Sequence, residues 1–148
     1  MKSKYQDDQK LNFGNDFSLF AVEDLTVAIE LTAEDSGKFY TIDSAGGAYE
    51  ITLPSPTKGI RYDFVVKEHT PTGAVTIKAT SAIIFGRVLE GEVDTSNDAP
   101  GSDADGTGKT NFIIGTSAVQ GDSFRLVCDG TSWYAQGVTA LDGSVTVS

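Results

Sequence analysis

One cysteine, one histidine and one methionine are all that this chain of 148 residues contains of each. A lone cysteine excludes an intrachain disulfide, and Cys128 is predicted to point inward as a small core hydrophobe. Ser-His-Asp, Cys-His and zinc arrangements would each have to draw on His69 or do without it. His69 stands in a turn beside Pro71, which suits a solvated side chain better than a ligand or a general base. No apolar run approaches the roughly 18 residues of a membrane span. The opening MKSKYQDDQK has no apolar signal region, so synthesis in a cytoplasm is expected. Cations are also scarce. Eleven Lys and Arg face 21 Asp and Glu, giving a net charge of −10 and a sequence pI near 4.3. Such a surface repels phosphate backbones and anionic membranes, so neither nucleic acid nor membrane is expected as a partner. The acidity serves solubility, and it would also draw the protein to a basic partner surface.

What is plentiful is glycine, threonine and β-branched apolar residues, the composition of strands and turns. Residues 1–20 are read as an N-terminal arm, polar to residue 10 and then apolar through Leu11, Phe13, Phe17, Leu19 and Phe20. Asn12, Gly14, Asn15 and Asp16 interrupt that run, which argues against a regular helix or strand. The arm either wraps its own core or docks on a neighbouring chain, and Phe13, Phe17, Leu19 and Phe20 are the candidate contact residues. Residues 21–148 are then a single β domain.

Within it, residues 25–31 read as one imperfect strand. Residues 38–42 and 48–53 read as strands across the turn 43–47, with Phe39 and Thr41 opposite Ile51 and Leu53. Pro54 and Pro56 end the second of these by removing backbone donors. Residues 60–67 alternate strictly, with Ile60, Tyr62, Phe64 and Val66 on one side. Val75 and Ile77 share a face, residues 81–89 suggest a strand bulged at Gly86, and TNFIIG at 110–115 is a short apolar strand. Residues 144–148 read as a polar end after an Asp142-Gly143 turn.

The most legible stretch is GDSFRLVCDGTSWYAQGV, residues 121–138. Asp129-Gly130 predicts a two-residue type I′ turn, which would set Cys128 against Thr131, Leu126 against Trp133 and Phe124 against Ala135. Phe124, Leu126, Cys128, Trp133 and Ala135 then share the buried face of a sheet-edge hairpin. Arg125, Val127, Ser132, Tyr134 and Gln136 take a mostly polar, wet face. About ten short strands at near-regular spacing indicate an all-β fold, a single antiparallel β-sandwich or barrel-like domain.

Motifs for chemistry are thin. Residues 91–109 form a long acidic stretch in which Asp103-Ala104-Asp105-Gly106 resembles the start of a calcium loop. No glutamate follows at the spacing that completes an EF-hand; calcium binding stands as the alternative to a plain acidic loop. Gly108-Lys109-Thr110 would need a glycine at position 103 for a phosphate loop, and residue 103 is Asp. Carboxylates are numerous enough for a paired-acid glycosidase by count, but they cluster in Gly- and Ser-rich loops where they would be solvated. No enzyme activity and no cofactor are expected.

Two runs carry a resemblance. Ile51-Thr52-Leu53-Pro54, Pro56, Gly59, Tyr62 and Phe64-Val65-Val66 form the first. Gly121-Asp122, Leu126-Val127, Asp129-Gly130-Thr131 and Trp133-Tyr134 form the second. With the segments around them, residues 36–137, the chain resembles small structural proteins of tailed bacteriophages: head decoration (cement) proteins and related β domains of tail fibres. It departs in carrying Cys128 where a serine is common. The resemblance implies a β-sandwich-like domain, trimeric, on the outer surface of a virion capsid after synthesis in a bacterial cytoplasm, with the major capsid protein as partner. The alternative is a tail-fibre or host-adhesion domain that binds a receptor or glycan. The 35 residues before and 11 after the matching region leave no shaft or receptor-binding tip in this chain, which favours the decoration reading.

Overall fold

Strict alternation sets the strands. In Arg61–Val66 the inward residues Tyr62, Phe64 and Val66 are buried, and Arg61, Asp63 and Val65 point out; Ser123–Cys128 repeats the pattern with Phe124, Leu126 and Cys128 inward. The computed structural model describes residues 21–68, 71–81, 83–91 and 107–148. Eleven strands run through them: β1 Val22–Leu25, β2 Ile29–Glu30, β3 Phe39–Ile42, β4 Tyr49–Thr52, β5 Arg61–Val66, β6 Val75–Lys78, β7 Ile84–Glu90, β8 Asn111–Ile114, β9 Ser123–Cys128, β10 Trp133–Thr139 and β11 Val145–Val147. A 3-10 turn at Ala33–Asp35 is the helical element of the described residues.

The strands form two packed sheets, one of six strands in the order β1-β3-β5-β9-β10-β7 and one of five in the order β11-β8-β6-β4-β2. The all-β sandwich expected from the sequence is the fold. Its pairing is mixed, however, and not antiparallel throughout. The first six strands cross from one sheet to the other at every step, so β1, β3 and β5 lie parallel in one sheet while β2, β4 and β6 lie parallel in the other. Antiparallel pairing enters with β8 against β6 and with the β9–β10 hairpin against β5. Strands β3 and β4, set opposite each other in the sequence reading, therefore lie in different sheets, and the inward residues of β3 are Tyr40 and Ile42. The stretch read as one strand at 25–31 divides at residues 26–28 for the same reason, β1 ending in one sheet and β2 beginning in the other.

Four further expectations change. The hairpin loop is four residues, 129–132, with Trp133 against Cys128, Ala135 against Leu126 and Gly137 against Phe124. Asp129 causes this: its Oδ1 accepts the amide N–H groups of Thr131 and Ser132, both at 2.8 Å, and its own N–H reaches Ser132 O. Gly130 takes φ +103°, a conformation closed to most side chains. The register slip is two residues, an even number, so every side chain keeps its predicted face. The hairpin also lies inside its sheet, with β5 on one side and β7 on the other. Gly86 marks no bulge, since β7 pairs residue for residue with β10. It is a close approach: a Cβ there would stand 2.0 Å from Ala135 O. Finally, the polar end at 144–148 contains β11, paired antiparallel with β8.

The core between the sheets is aromatic. Trp133 stacks on Tyr62 at 5.8 Å, Tyr40 on Phe64 at 5.5 Å, and Phe112 meets Phe124 edge-on at 5.3 Å across the sandwich. Cys128 is buried among them, as expected. The Tyr62 hydroxyl donates to Thr32 O at 2.6 Å, whereas the Tyr40 hydroxyl and Trp133 Nε1 are buried without a hydrogen-bond partner among the described residues. Burial pushes the Tyr40 hydroxyl up to about 12. At one end, Asp122 is 4% exposed and accepts the N–H groups of Val119 and Ala140, each at 2.9 Å, tying the loop before β9 to the loop after β10.

Candidate interaction face

Because every pairing from β1 to β7 across the six-stranded sheet is in one-to-one register, its outward side chains line up in rows. One row reads Arg61, Val127, Tyr134, Phe85. The next reads Val22, Phe39, Asp63, Arg125, Gln136, Arg87. The third reads Asp24, Thr41, Val65, Ser123, Val138, Leu89.

Six of the eight large apolar side chains exposed among the described residues are on this face: Val22, Phe39, Leu89, Val127, Tyr134 and Val138. All three arginines of the chain, Arg61, Arg87 and Arg125, are there too. Asp63 stands between two of them, accepting Arg125 Nε at 2.5 Å on Oδ1 and Arg61 Nε at 3.2 Å on Oδ2. Both guanidinium groups stay about half exposed, at 53% and 48%. Arg87 is exposed and makes no hydrogen bond or ion pair among the described residues. An open groove of about 510 Å³ runs over Asp63 and Arg125, walled by Phe39 on one side and Val138 on the other. At the rim, Tyr134 stacks with Phe85 at 6.2 Å and its hydroxyl donates to Asp129 Oδ2 at 3.1 Å. The amides of Ser132 and Thr131 hold the Asp129 carboxyl below the usual range, and Asp129 in turn raises the Tyr134 hydroxyl.

The local sequence inverts the usual distribution of bulk on β7 and β10. At the core-side positions in the middle of these strands are Ala135, buried, Gly137, half-buried, and Gly86, itself exposed on the edge strand; outward are Phe85, Tyr134, Val138 and Leu89. Small inward residues let the neighbouring strands and Phe124 close up, while the outward residues leave aromatic and aliphatic surface in water. Aromatic residues and arginine together are the composition of protein contact surfaces.

The contact residues expected from the sequence, Phe13, Phe17, Leu19 and Phe20, lie outside the described residues, as do His69 and the calcium-like stretch at 103–106. Among the described residues no group of three or more His, Cys, Asp and Glu is placed to hold a metal ion, and no helix is long and apolar enough to cross a membrane. Sequence reasoning puts Arg125, Val127, Tyr134 and Gln136 outward, correctly, but describes that face as mostly polar. The signal it passes over is that Arg61, Arg87 and Arg125 all fall at outward positions of strands. No family model matches the chain, and no curated protein matches it.

Proposed function

We propose that this chain is a structural virion protein, a capsid decoration protein that binds the assembled head through the major capsid protein and stabilises it. The observation that carries the reading is the broad arginine- and aromatic-bearing face of the six-stranded sheet, a surface suited to protein contact. The sequence resemblance supports it further, because the residues that carry the resemblance do framework work here. Asp122 ties two loops, Asp129 and Gly130 shape the hairpin, and Trp133 fills the core. The apolar arm residues Phe13, Phe17, Leu19 and Phe20 are assigned to the shell, and the resemblance implies three copies per assembly. Protein bound only to the assembled shell would stabilise it by mass action. The reading assigns the chain no reaction and no cofactor.

Co-sedimentation with expanded heads that lack the protein tests this. Saturable binding at a fixed ratio to the major capsid protein, with greater heat resistance of the heads, is the expected result. Absence of binding to heads, with attachment to cells or polysaccharide, would move the protein to a tail fibre or host-adhesion role.

A further inference from the structure

The outer face of the six-stranded sheet is complementary to itself. We infer that, in protein not bound to heads, it pairs with the same face of a second copy about a two-fold axis that runs along the strands, between β9 and β10. Such an axis keeps each row in place and reverses the strand order, so that β5 of one copy lies over β7 of the other and β9 lies over β10. The register then fixes every contact. In the central row, Asp63 meets Arg87 of the second copy, and Arg125 meets Gln136. In the first row Arg61 lies over Phe85 and Val127 against Tyr134. In the third, Val65 meets Leu89 and Ser123 meets Val138.

Each of these pairs is chemically matched or neutral, and no like charges coincide. The ion pair uses Arg87, the arginine that has no partner among the described residues, and the Asp63 carboxylate on the floor of the groove, where a long side chain from outside can reach it. Arg61 over the Phe85 ring is a cation–π geometry. Val127, Tyr134, Val65 and Leu89 would leave water, accounting for the outward bulk on β7 and β10. A rotation about the strand direction also leaves the facing strands aligned, which is how sheets pack face to face. A ring in which this face met some other, acidic surface of the next copy would leave the row-by-row match unused. Four strands by three rows give a footprint of roughly 20 by 20 Å from strand and residue spacing. That is at the small end for a specific interface, so the pair should be reversible. Two copies is the stoichiometry this face supports in the free protein; the three that the resemblance implies belong to the assembled head.

A charge exchange tests the pairing on the full chain. In a pair of like copies, Arg87→Glu sets a second carboxylate against Asp63 at both contacts, and Asp63→Lys sets an ammonium against Arg87 at both. Mixed in equal amounts, the two variants restore one ion pair of reversed polarity and one of the original sense in each mixed dimer. Sedimentation equilibrium from about 1 µM to about 1 mM should show wild-type dimer, each variant weakened at least about tenfold, and a dimer again in the mixture. Circular dichroism melts confirm that each variant folds. A wild type that stays monomeric or forms trimers, or a mixture that stays as weak as its components, overturns the pairing. Should Asp63→Lys fail to fold, Leu89→Asp supplies the second reading: a weakened dimer is expected, and an unchanged one overturns the proposal. Head binding is scored separately, so a monomer that decorates heads would sink the pairing and leave the proposed function standing.

Discussion

The two outer faces of this sandwich are built from the same alternation yet carry opposite chemistry. On the five-stranded sheet the outward rows read Glu30, Thr52, Lys78, Asn111 and Glu50, Thr76, Ile113, Thr146. Threonine and short polar groups dominate, and Lys78 pairs with Glu50 at 3.3 Å. That face is satisfied by water and by its own neighbours. The outer face of the six-stranded sheet instead offers aromatic, aliphatic and guanidinium groups that water serves poorly. Equal burial inside with unequal chemistry outside shows that the inward pattern supplies the fold, while the outward residues are free to supply function.

Substitutions probe this contrast in graded steps. The largest effect is expected at the layer both faces share: Trp133→Ala should cost about 3–5 kcal/mol, read from denaturant midpoints, because it empties the stack on Tyr62. Gly86→Ala should cost about 1–3 kcal/mol. It drives a Cβ into Ala135 O and pushes β7 from β10, so it should also disrupt the arginine face while leaving the threonine face intact. Within the core, Tyr62→Phe should cost about 1 kcal/mol for the lost bond to Thr32, and Tyr40→Phe should be neutral or slightly stabilising, since its hydroxyl has no partner to lose.

The joint between the sheets at Ala33–Asp35 gives a pH signature. Lys38, first, and Thr32 hold the Asp35 carboxyl down at about 2 against an ordinary value of 3.8. A carboxyl whose folded value is lowered stabilises the protein above its unfolded value and loses that contribution as the pH falls through the folded one. Stability should therefore decline between pH 4 and pH 2. Asp35→Asn should cost at most about 1 kcal/mol at neutral pH, for a partly exposed pair, and its difference from wild type should vanish toward pH 2 in acid melts. The smallest effect is on the faces themselves. Val138→Ser and Thr76→Ser should each shift stability by no more than about 0.5 kcal/mol. Only the first should alter self-association by light scattering.

Alternation is readable wherever it is strict. Tyr62, Phe64, Val66, Val75, Ile77, Leu126, Cys128 and Trp133 all face inward as the period of two demands. Which strand pairs with which is not readable, because alternation records the face of a strand and nothing about its neighbour. Phe39 to Ile42 and Tyr49 to Thr52 suit adjacent strands as well as strands in opposite sheets. Deciding between them takes contacts such as Tyr40 with Phe64 and Ile51 with Ile77, far apart in the chain. The hairpin loop is longer than the Asp-Gly pair suggests because the Asp129 carboxylate substitutes for backbone pairing, which that pair alone does not reveal. The candidate face is half visible: its residues are placed outward, but its rows exist only once β5, β9, β10 and β7 are side by side.

The strand-by-strand crossing of the first six strands has a consequence for how such a chain can change in length. Strands β1 and β2, β3 and β4, β5 and β6 come as couples, one to each sheet. Losing or gaining one strand would move every preceding strand to the opposite sheet and turn its pairing partners into strangers. Losing the outer couple, β1 and β2, or gaining another beside it, would shorten or lengthen both sheets by one strand and leave every other strand pairing in place. Insertions and deletions in this half of the molecule should therefore be tolerated by parity, in even numbers of strands.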